Sequence, residues 1–569
     1  MNRRSLSIWP FLILLISAGS TCVKAQLQFP GKPMGLNNQL KAAEVMYVLP
    51  PPDPVEIEAE LELNRRTNSK PLRFALERPV NLSPETHGSW SLKGDIRVWH
   101  VHVLSPGAYS LGLVFGKYAL LPGVKIFVYS PGQQEVKGAF TSENNKTSGV
   151  LPIGHLPGEE LLIEMQVPAG MADYGELELE ALSHAFLNTG FKSSKADCPA
   201  GEFGCSQPCE IDVNCMEGDP WWQVKPSVVR VFTTTFYCTG VLVNNTSYDG
   251  TPYIITAEHC LNNQYYADRT VFQFNYESAS CFGEDGPLDM SISSANQLTH
   301  GDSVDFSLLE ISSIPPASYG AYYAGWDRTQ FQTSSSSTIH HPFGDVKKVS
   351  IDEQAPSIPE KPGDVPYSGL EDYHFFSFWW IKQWETGSTE GGSSGGPLFN
   401  QAHRVIGTLS GGNAACGDSI GYDDDTDRVI YNPAPNYDDY FTQFGMAWDY
   451  EEDKGNALKP WLDPLNLDPP TLIGYNPSST EPIRVDADGL FHVFPNPARD
   501  LFHITSKEPV QGSGYYNIVN LSGALLREGQ LDGEGRAEIH ISNLAPGLYI
   551  VKVGSDAYQE HHKLLVTGQ

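Results

Sequence analysis

The run Gly392-Ser393-Ser394-Gly395-Gly396-Pro397 places a serine among residues too small to crowd it. A Ser hydroxyl is a poor nucleophile at neutral pH. It needs an adjacent base, an orienter for that base, and donors for a developing oxyanion. The glycines permit a tight turn that aims two backbone N–H groups, those of Gly392 and Ser394, at one point. The competing reading is a flexible Gly/Ser loop, because Glu390 to Gly396 is low in complexity. Working outward, two other local settings supply the missing groups. His259 stands in Thr256-Ala257-Glu258-His259-Cys260, after an apolar run and beside a cysteine. A lone His is usually structural, and here the context makes it a candidate base. Asp305 opens Asp305-Phe306-Ser307-Leu308-Leu309-Glu310-Ile311. An Asp at the head of an apolar strand is often a cap, and the alternative role is orienter of the base.

The surroundings fit an exported, β-rich protein. At 569 residues the chain is too long for one core, and a prior of roughly 150 residues per domain suggests about three or four domains. The 53 Gly and 42 Pro indicate many turns. A net charge of −31 argues against nucleic acid or an anionic membrane as partner, since an acidic surface repels both. It suits a basic substrate, or simply solubility. Arg3, Arg4, the apolar run Leu6 to Ala18 and Val23-Lys24-Ala25 before Gln26 read as a signal peptide over 1–25. Twin-arginine export and lipidation at Cys22 are less consistent with the flanking residues. No other segment is long and apolar enough for a spanning helix. With Cys22 set aside, eight Cys remain, and an even count in an exported chain reads as disulfides. Cys205 and Cys209 lack a second Cys/His pair at finger spacing, so neither a metal nor another cofactor is expected.

Residues 26–195 contain no Cys after Cys22. They alternate apolar and polar residues, as in Ile96-Arg97-Val98-Trp99-His100-Val101-His102-Val103, and predict a β-rich accessory domain or pro-region. Residues 196–475 hold the eight Cys and strand-like runs such as Val228 to Phe232 and Tyr253 to Thr256, which fit a double β-barrel. Residues 476–490 read as a linker and 491–569 as a small β-sandwich. The fold class expected is all-β.

Three local matches in the chain order His, Asp, Ser are the order of trypsin-like enzymes. Residues 205–465 resemble lysyl endopeptidase, a bacterial branch of the trypsin-fold serine proteases. The resemblance rests on Cys209-Glu210-Ile211-Asp212-Val213-Asn214-Cys215, Cys238-Thr239-Gly240, Leu242 to Thr246 and the His259, Asp305 and Ser394 runs. It rests also on Ala324 to Arg328, Ile339-His340-His341-Pro342 and Trp461-Leu462-Asp463-Pro464. It implies a serine endopeptidase with His259 as general base, Asp305 as orienter and Ser394 as nucleophile. It also implies the disulfides Cys209–Cys416, Cys215–Cys281 and Cys238–Cys260, leaving Cys198 and Cys205 as a remaining pair. Cleavage after Lys or Arg needs an acid at the base of the pocket. The resemblance places it at Asp439, counting back from Trp448, with Asp438 adjacent and Asp423-Asp424-Asp425 as a further acidic run.

Two departures from the family stand out. Phe441-Thr442-Gln443 replaces a Tyr-Gly-basic run, and Ser410 occupies the place of a His that stacks on a Trp near the triad. The 353–374 loop offers no such Trp. The expected substrates are proteins or peptides with Lys. The alternatives are Arg or mixed preference, or a protease fold that only binds. Phe494 to Asp500, Asn520 to Gly523 and Leu544 to Tyr549 resemble the sorting domain of type IX secretion. That implies passage through the type IX machinery to the cell surface or medium. If 26–195 is a pro-region, Lys192 and Lys195 at its end, just before Cys198, are candidate self-cleavage sites.

Overall fold

The computed structural model describes residues 28–35, 46–66, 71–131, 135–187, 206–330, 333–359, 374–423, 428–434, 437–450, 456–477, 491–495, 498–506, 514–520, 525–555 and 558–566. The signal peptide, Cys22, Lys192, Lys195, Cys198, Cys205, Asp424, Asp425 and most of the 476–490 linker lie outside them. The chain is mostly β, in several sheets. Among the described residues, no helix is long and apolar enough to cross a membrane.

The N-terminal part departs from a purely β reading at helix α1 (Pro54–Arg66). Its Pro at the first position and its run of Glu, Ala and Leu are helix-forming choices that the alternation elsewhere overshadowed. The two-residue strand β1 (Leu72–Arg73) follows. Beyond it, one sheet orders Met46–Val48, Ile96–Leu104, Glu160–Pro168, Lys125–Tyr129 and Val136–Phe140, with Ser89–Lys93 on Ile96–Leu104. A second orders Ala75–Leu82, Gly175–Ala185, Ser110–Leu120 and Leu151–Pro157. Their inner faces share Val101, Val103, Leu111, Leu113, Ile126, Ile163 and Leu182 as one core. Each such fully buried aliphatic side chain stabilises by roughly 1.5–3 kcal/mol relative to exposure.

Two larger sheets carry the candidate site. The first contains β2 (Val228–Phe232), β3 (Phe236–Val243), β4 (Tyr253–Thr256), β5 (Val271–Phe274), β6 (Ser291–Ser293), β7 (Ala295–Gly301) and β8 (Phe306–Ile311). Its spatial order is β6-β5-β2-β3-β4-β8-β7. The end strands β6 and β7 are separated in sequence by Ser294 alone, so the sheet curls back on itself. The second contains β9 (Ser336–His340), β10 (Lys348–Asp352), β11 (Phe378–Ile381), β12 (Pro397–Asn400), β13 (Val405–Gly412) and β14 (Asp439–Gln443). Pairing runs β10-β9-β12-β13, and β14 joins β13 to β11. Isolated bridges Ile351–Thr386 and Ser357–Trp380 bring the chain after β10 back towards β11. Val228, Val241, Ile255 and Leu308 of the first sheet pack with Ile339, Val349, Phe399 and Val405 of the second. The shared core presses the sheets together where the loops bearing His259, Asp305 and Ser394 leave their strands.

Three disulfides join Cys209 to Cys416, Cys215 to Cys281 and Cys238 to Cys260, the pairing the resemblance implies. At the C-terminal end, Phe491–Phe494, Leu501–Ser506 and Arg536–His540 form one sheet. Leu525–Gln530, Tyr515–Val519, Gly547–Ser555 and Tyr558–Val566 form another. Phe502, Ile504, Ile518, Ile539, Val551 and Leu564 fill the space between them.

Candidate active site

Asp305 immediately precedes β8 and is fully buried, with a φ of 56°. One carboxylate oxygen accepts the His259 backbone N–H at 3.0 Å, and both oxygens lie 3.0 Å from His259 Nδ1. An ionised carboxylate only accepts, so Nδ1 carries the proton and Nε2 presents a lone pair. His259 Nε2 is buried and has no hydrogen-bond partner among the described residues. The ring is therefore held at two points of its residue and left with one basic nitrogen unused. An oriented imidazole with an unused basic nitrogen is one requirement of a general base.

The Ser394 loop meets the His259 loop at Thr239, in the middle of β3. The Thr239 N–H donates to the Ser394 carbonyl at 2.8 Å, and its Oγ1 donates to the Gly392 carbonyl at 2.9 Å. Its own carbonyl accepts from Thr256 Oγ1 at 2.7 Å, at the end of the strand that leads to His259. Cys260 Sγ, tied to Cys238, lies 3.8 Å from the Ser394 carbonyl. Gly391 O accepts from Phe343 N–H at 2.7 Å. In a planar trans peptide the following N–H points the opposite way, so Gly392 N–H is directed away from Phe343. Gly392 has a φ of 98°, and a Cβ there would stand 2.9 Å from His341 O, so only glycine fits. Ser394 itself is buried.

Asp439 opens β14, opposite Gly412 of β13 and Ile381 of β11. Its Oδ2 accepts from Trp384 Nε1 at 2.6 Å and Thr389 Oγ1 at 2.8 Å. Its Oδ1 is buried and makes no hydrogen bond to a described residue. A Cβ on Gly412 would come within 2.2 Å of that oxygen, so the glycine keeps the carboxylate approachable. Burial pushes the Asp439 acid up to about 7, against the opposing hydrogen bonds from Trp384 and Thr389 and with a further push from Asp438. Asp438 faces elsewhere: its Oδ2 accepts from Trp380 Nε1 at 2.9 Å and Tyr440 OH at 2.7 Å. Asp438 Oδ2 is thus held by Trp380 and Tyr440, while the buried Oδ1 of Asp439 takes no hydrogen bond from a described residue.

The two departures from the family meet in one hydrogen-bond chain. Ser410 Oγ lies 2.9 Å from Thr442 Oγ1, which donates to the Val304 carbonyl beside Asp305. Gln443 Nε2 donates to the Phe376 and Phe378 carbonyls at 3.1 and 3.0 Å.

A polar cluster beneath the Ser394 loop was not anticipated from the sequence. Ser393 Oγ is 2.7 Å from His340 Nδ1 and accepts the Glu390 N–H at 3.1 Å. Glu390 Oε1 accepts the Gln207 N–H at 2.7 Å. Ser206 donates through N–H and Oγ to Asp345 Oδ2 at 3.1 and 2.7 Å. Burial pushes the Glu390 acid up to about 7. Burial, then the neighbouring Glu390, pushes Glu210 well above the carboxylate range. Burial holds His340 neutral, with its pKa lowered to about 3. Lys348 is paired with Asp212 and Asp345. The signals available in the sequence were Glu210 inside the Cys209–Cys215 run and His340 inside Ile339 to Pro342.

Residues 203–427 match the family model described as the lysyl endopeptidase C-terminal domain, and residues 492–567 match the secretion system C-terminal sorting domain. The lysyl endopeptidase of Pseudomonas aeruginosa is 28% identical over 312 residues, covering 52% of this chain and 60% of that protein. The match thus spans less than two thirds of that relative's length. Among solved structures, the Rv3671c protease of M. tuberculosis in its inactive form aligns at 16% identity, over 41% of this chain and 90% of that one, with a TM-score of 0.24. A serine-to-alanine mutant of the same protein aligns at 15% identity, over 39% and 84%, also with a TM-score of 0.24. The chain therefore carries a lysyl endopeptidase C-terminal domain followed by a secretion sorting domain, and is a distant homologue of lysyl endopeptidase.

Proposed function

We propose that this chain is a secreted serine endopeptidase with a trypsin-like double β-barrel over residues 196–475, cutting on the carboxyl side of Lys. The observation that carries the reading is the two-point clamp of His259 by Asp305 beside the Ser394 loop. His259 Nε2 takes the Ser394 proton as the hydroxyl attacks the scissile carbonyl. Asp305 stabilises the imidazolium that forms. The N–H groups of Gly392 and Ser394 receive the oxyanion. His259 then protonates the leaving amine, and water releases the acyl group. Support for a cationic side chain comes from Asp439, whose free Oδ1 offers a buried Lys ammonium the partner it requires.

Residues 26–195 serve in this reading as a pro-region or accessory domain, and 476–490 as a linker. Residues 491–569 direct export through the type IX machinery, to the surface or the medium. Turnover of matched Lys and Arg p-nitroanilides by the parent and by Ser394→Ala tests the proposal. Lys is expected to be preferred at least about tenfold in kcat/KM, with Ser394→Ala inactive on both. Retained activity in Ser394→Ala defeats the mechanism, and equal rates on the two substrates defeat the Lys preference.

A further inference from the structure

Strand β3 has an edge whose covering bears directly on substrate access. Tyr237 pairs with Phe232 of β2 on one side and with Leu72 of β1 on the other. Strand β4 covers β3 on that second side only at Val241 to Val243. Between β4 and β1 the edge runs through Cys238, Thr239 and Gly240. There Thr239 holds Ser394 and Gly392, and Cys238 is tied to the neighbour of His259. At about 3.3 Å per residue, Leu72 lies opposite a point roughly 7 Å along β3 from Thr239. The pairing is antiparallel, so the chain preceding Leu72 runs through Pro71 towards the Ser394 loop.

β1 is built into place from both sides. The Asn64 side chain of α1 closes its outer edge, donating to Arg73 O at 2.7 Å and accepting Arg73 N–H at 3.0 Å. Arg73 also pairs with Glu60 at 3.2 Å. Buried Leu72 and Phe74 pack with Phe232, Tyr237 and Val271, and Phe343, which braces Gly391, joins the same cluster. Phe74 N–H donates to Thr235 O at 3.0 Å. Nearby, Thr234 Oγ1 donates to Glu77 at 2.6 Å, and Arg269 pairs with Glu180 at 2.8 Å.

We propose that Pro71–Ala75 is a built-in substrate mimic. It occupies the β3 edge at Phe236-Tyr237 on which the leaving-group side of an extended peptide substrate docks, and so silences the uncleaved chain against protein substrates. The proposal rests on the serine protease reading. An extended peptide reaching Ser394 needs main-chain partners, and the β3 edge at Phe236-Tyr237, once β1 leaves it, supplies them by strand addition. Pro71 suits the role, because its locked φ and missing N–H make the bond ahead of it a poor one for such an enzyme.

The test uses the full-length, uncleaved chain with two substrates: a Lys p-nitroanilide, which has no residues on the leaving side, and a peptide extending several residues beyond its Lys. Leu72→Glu places a charge in the apolar cluster. It should raise kcat/KM on the extended peptide about tenfold while changing the p-nitroanilide rate less than about twofold. Asn64→Ala, which frees only the outer edge of β1, should shift the peptide rate in the same direction by a smaller factor. An unchanged peptide rate in both variants, with the p-nitroanilide rate intact, overturns the inference and spares the protease reading. Absence of p-nitroanilide turnover in parent and variants alike overturns both.

Discussion

Thr239 makes more contacts to the reacting loops than any sequence motif advertised. It holds the Ser394 carbonyl, the Gly392 carbonyl and the strand end before His259. Thr239→Val keeps the shape and removes the hydroxyl bond to Gly392 O. The oxyanion donor is then less fixed, and kcat on a Lys p-nitroanilide should fall about 10–100-fold with KM little changed. A fall in affinity alone would contradict that role. Asp439 gives a second prediction. Its acid is raised to about 7, so the Asp439 carboxyl is neutral below that pH and charged above it, and under the proposed Lys specificity it governs binding. The parent's kcat/KM on Lys substrates should rise as pH passes through about 7, and Asp439→Asn should lose the Lys preference across the range. The sign for stability is opposite. A carboxylic acid raised above its unfolded value of about 3.9 favours the fold at low pH, and that contribution is lost as pH rises through about 7. Asp439→Asn should therefore be more stable than the parent at pH 8, by on the order of 2 kcal/mol, in urea unfolding. The candidates His259, Asp305 and Ser394 could be picked out in the sequence because each sits in a dense local pattern, and the structure brings His259 against Asp305 and beside the Ser394 loop. Thr239 was not, because its importance arises from contacts with residues 153 positions away. Asp439 was singled out by counting back from Trp448 through a helical turn and one strand, whereas its partners Trp384 and Thr389 come from a separate stretch of chain.

At the scale of elements, alternation in the N-terminal part and short apolar runs in the central part were good guides to strands. Ile96–Leu104, Val228–Phe232 and Tyr253–Thr256 all form strands as their patterns predict. Helix α1 was missed, since its outward Glu-rich face gives little amphipathic contrast. β1 was missed for another reason: two residues are too few for a pattern, and its pairing with β3 is decided wholly by tertiary packing. The segment leading into the protease-like sheets shows the same limit. Ser206 and Gln207 tie it to Asp345 and Glu390 beneath the Ser394 loop, and nothing in their spacing announces it. Glu390 is raised to about 7 from an ordinary 4.5. Its contribution to the fold is thus present below about 4.5 and lost as pH rises through about 7, when the buried Glu390 carboxyl must ionise. The parent's melting temperature should drop between pH 6 and pH 8, and Glu390→Gln should flatten that drop while keeping an acceptor for Gln207. An equal drop in the variant would show that other groups govern it.

For the whole molecule, the N-terminal, central and C-terminal parts each bury a hydrophobic core of their own. The mostly-β character of the chain was legible from composition and turn signals. How the N-terminal part docks on the central sheets was not, because the contacts Arg269–Glu180, Thr234–Glu77 and Leu72–Tyr237 join residues far apart in sequence. Everything in the functional reading depends on Ser394 being the nucleophile that His259 activates. The most direct measurement is reaction with a small fluorophosphonate followed by peptide mass spectrometry of the adduct. One covalent adduct is expected, on Ser394, and it should be lost in His259→Ala. No adduct on Ser394, or labelling that is undiminished in His259→Ala, would contradict that role for Ser394.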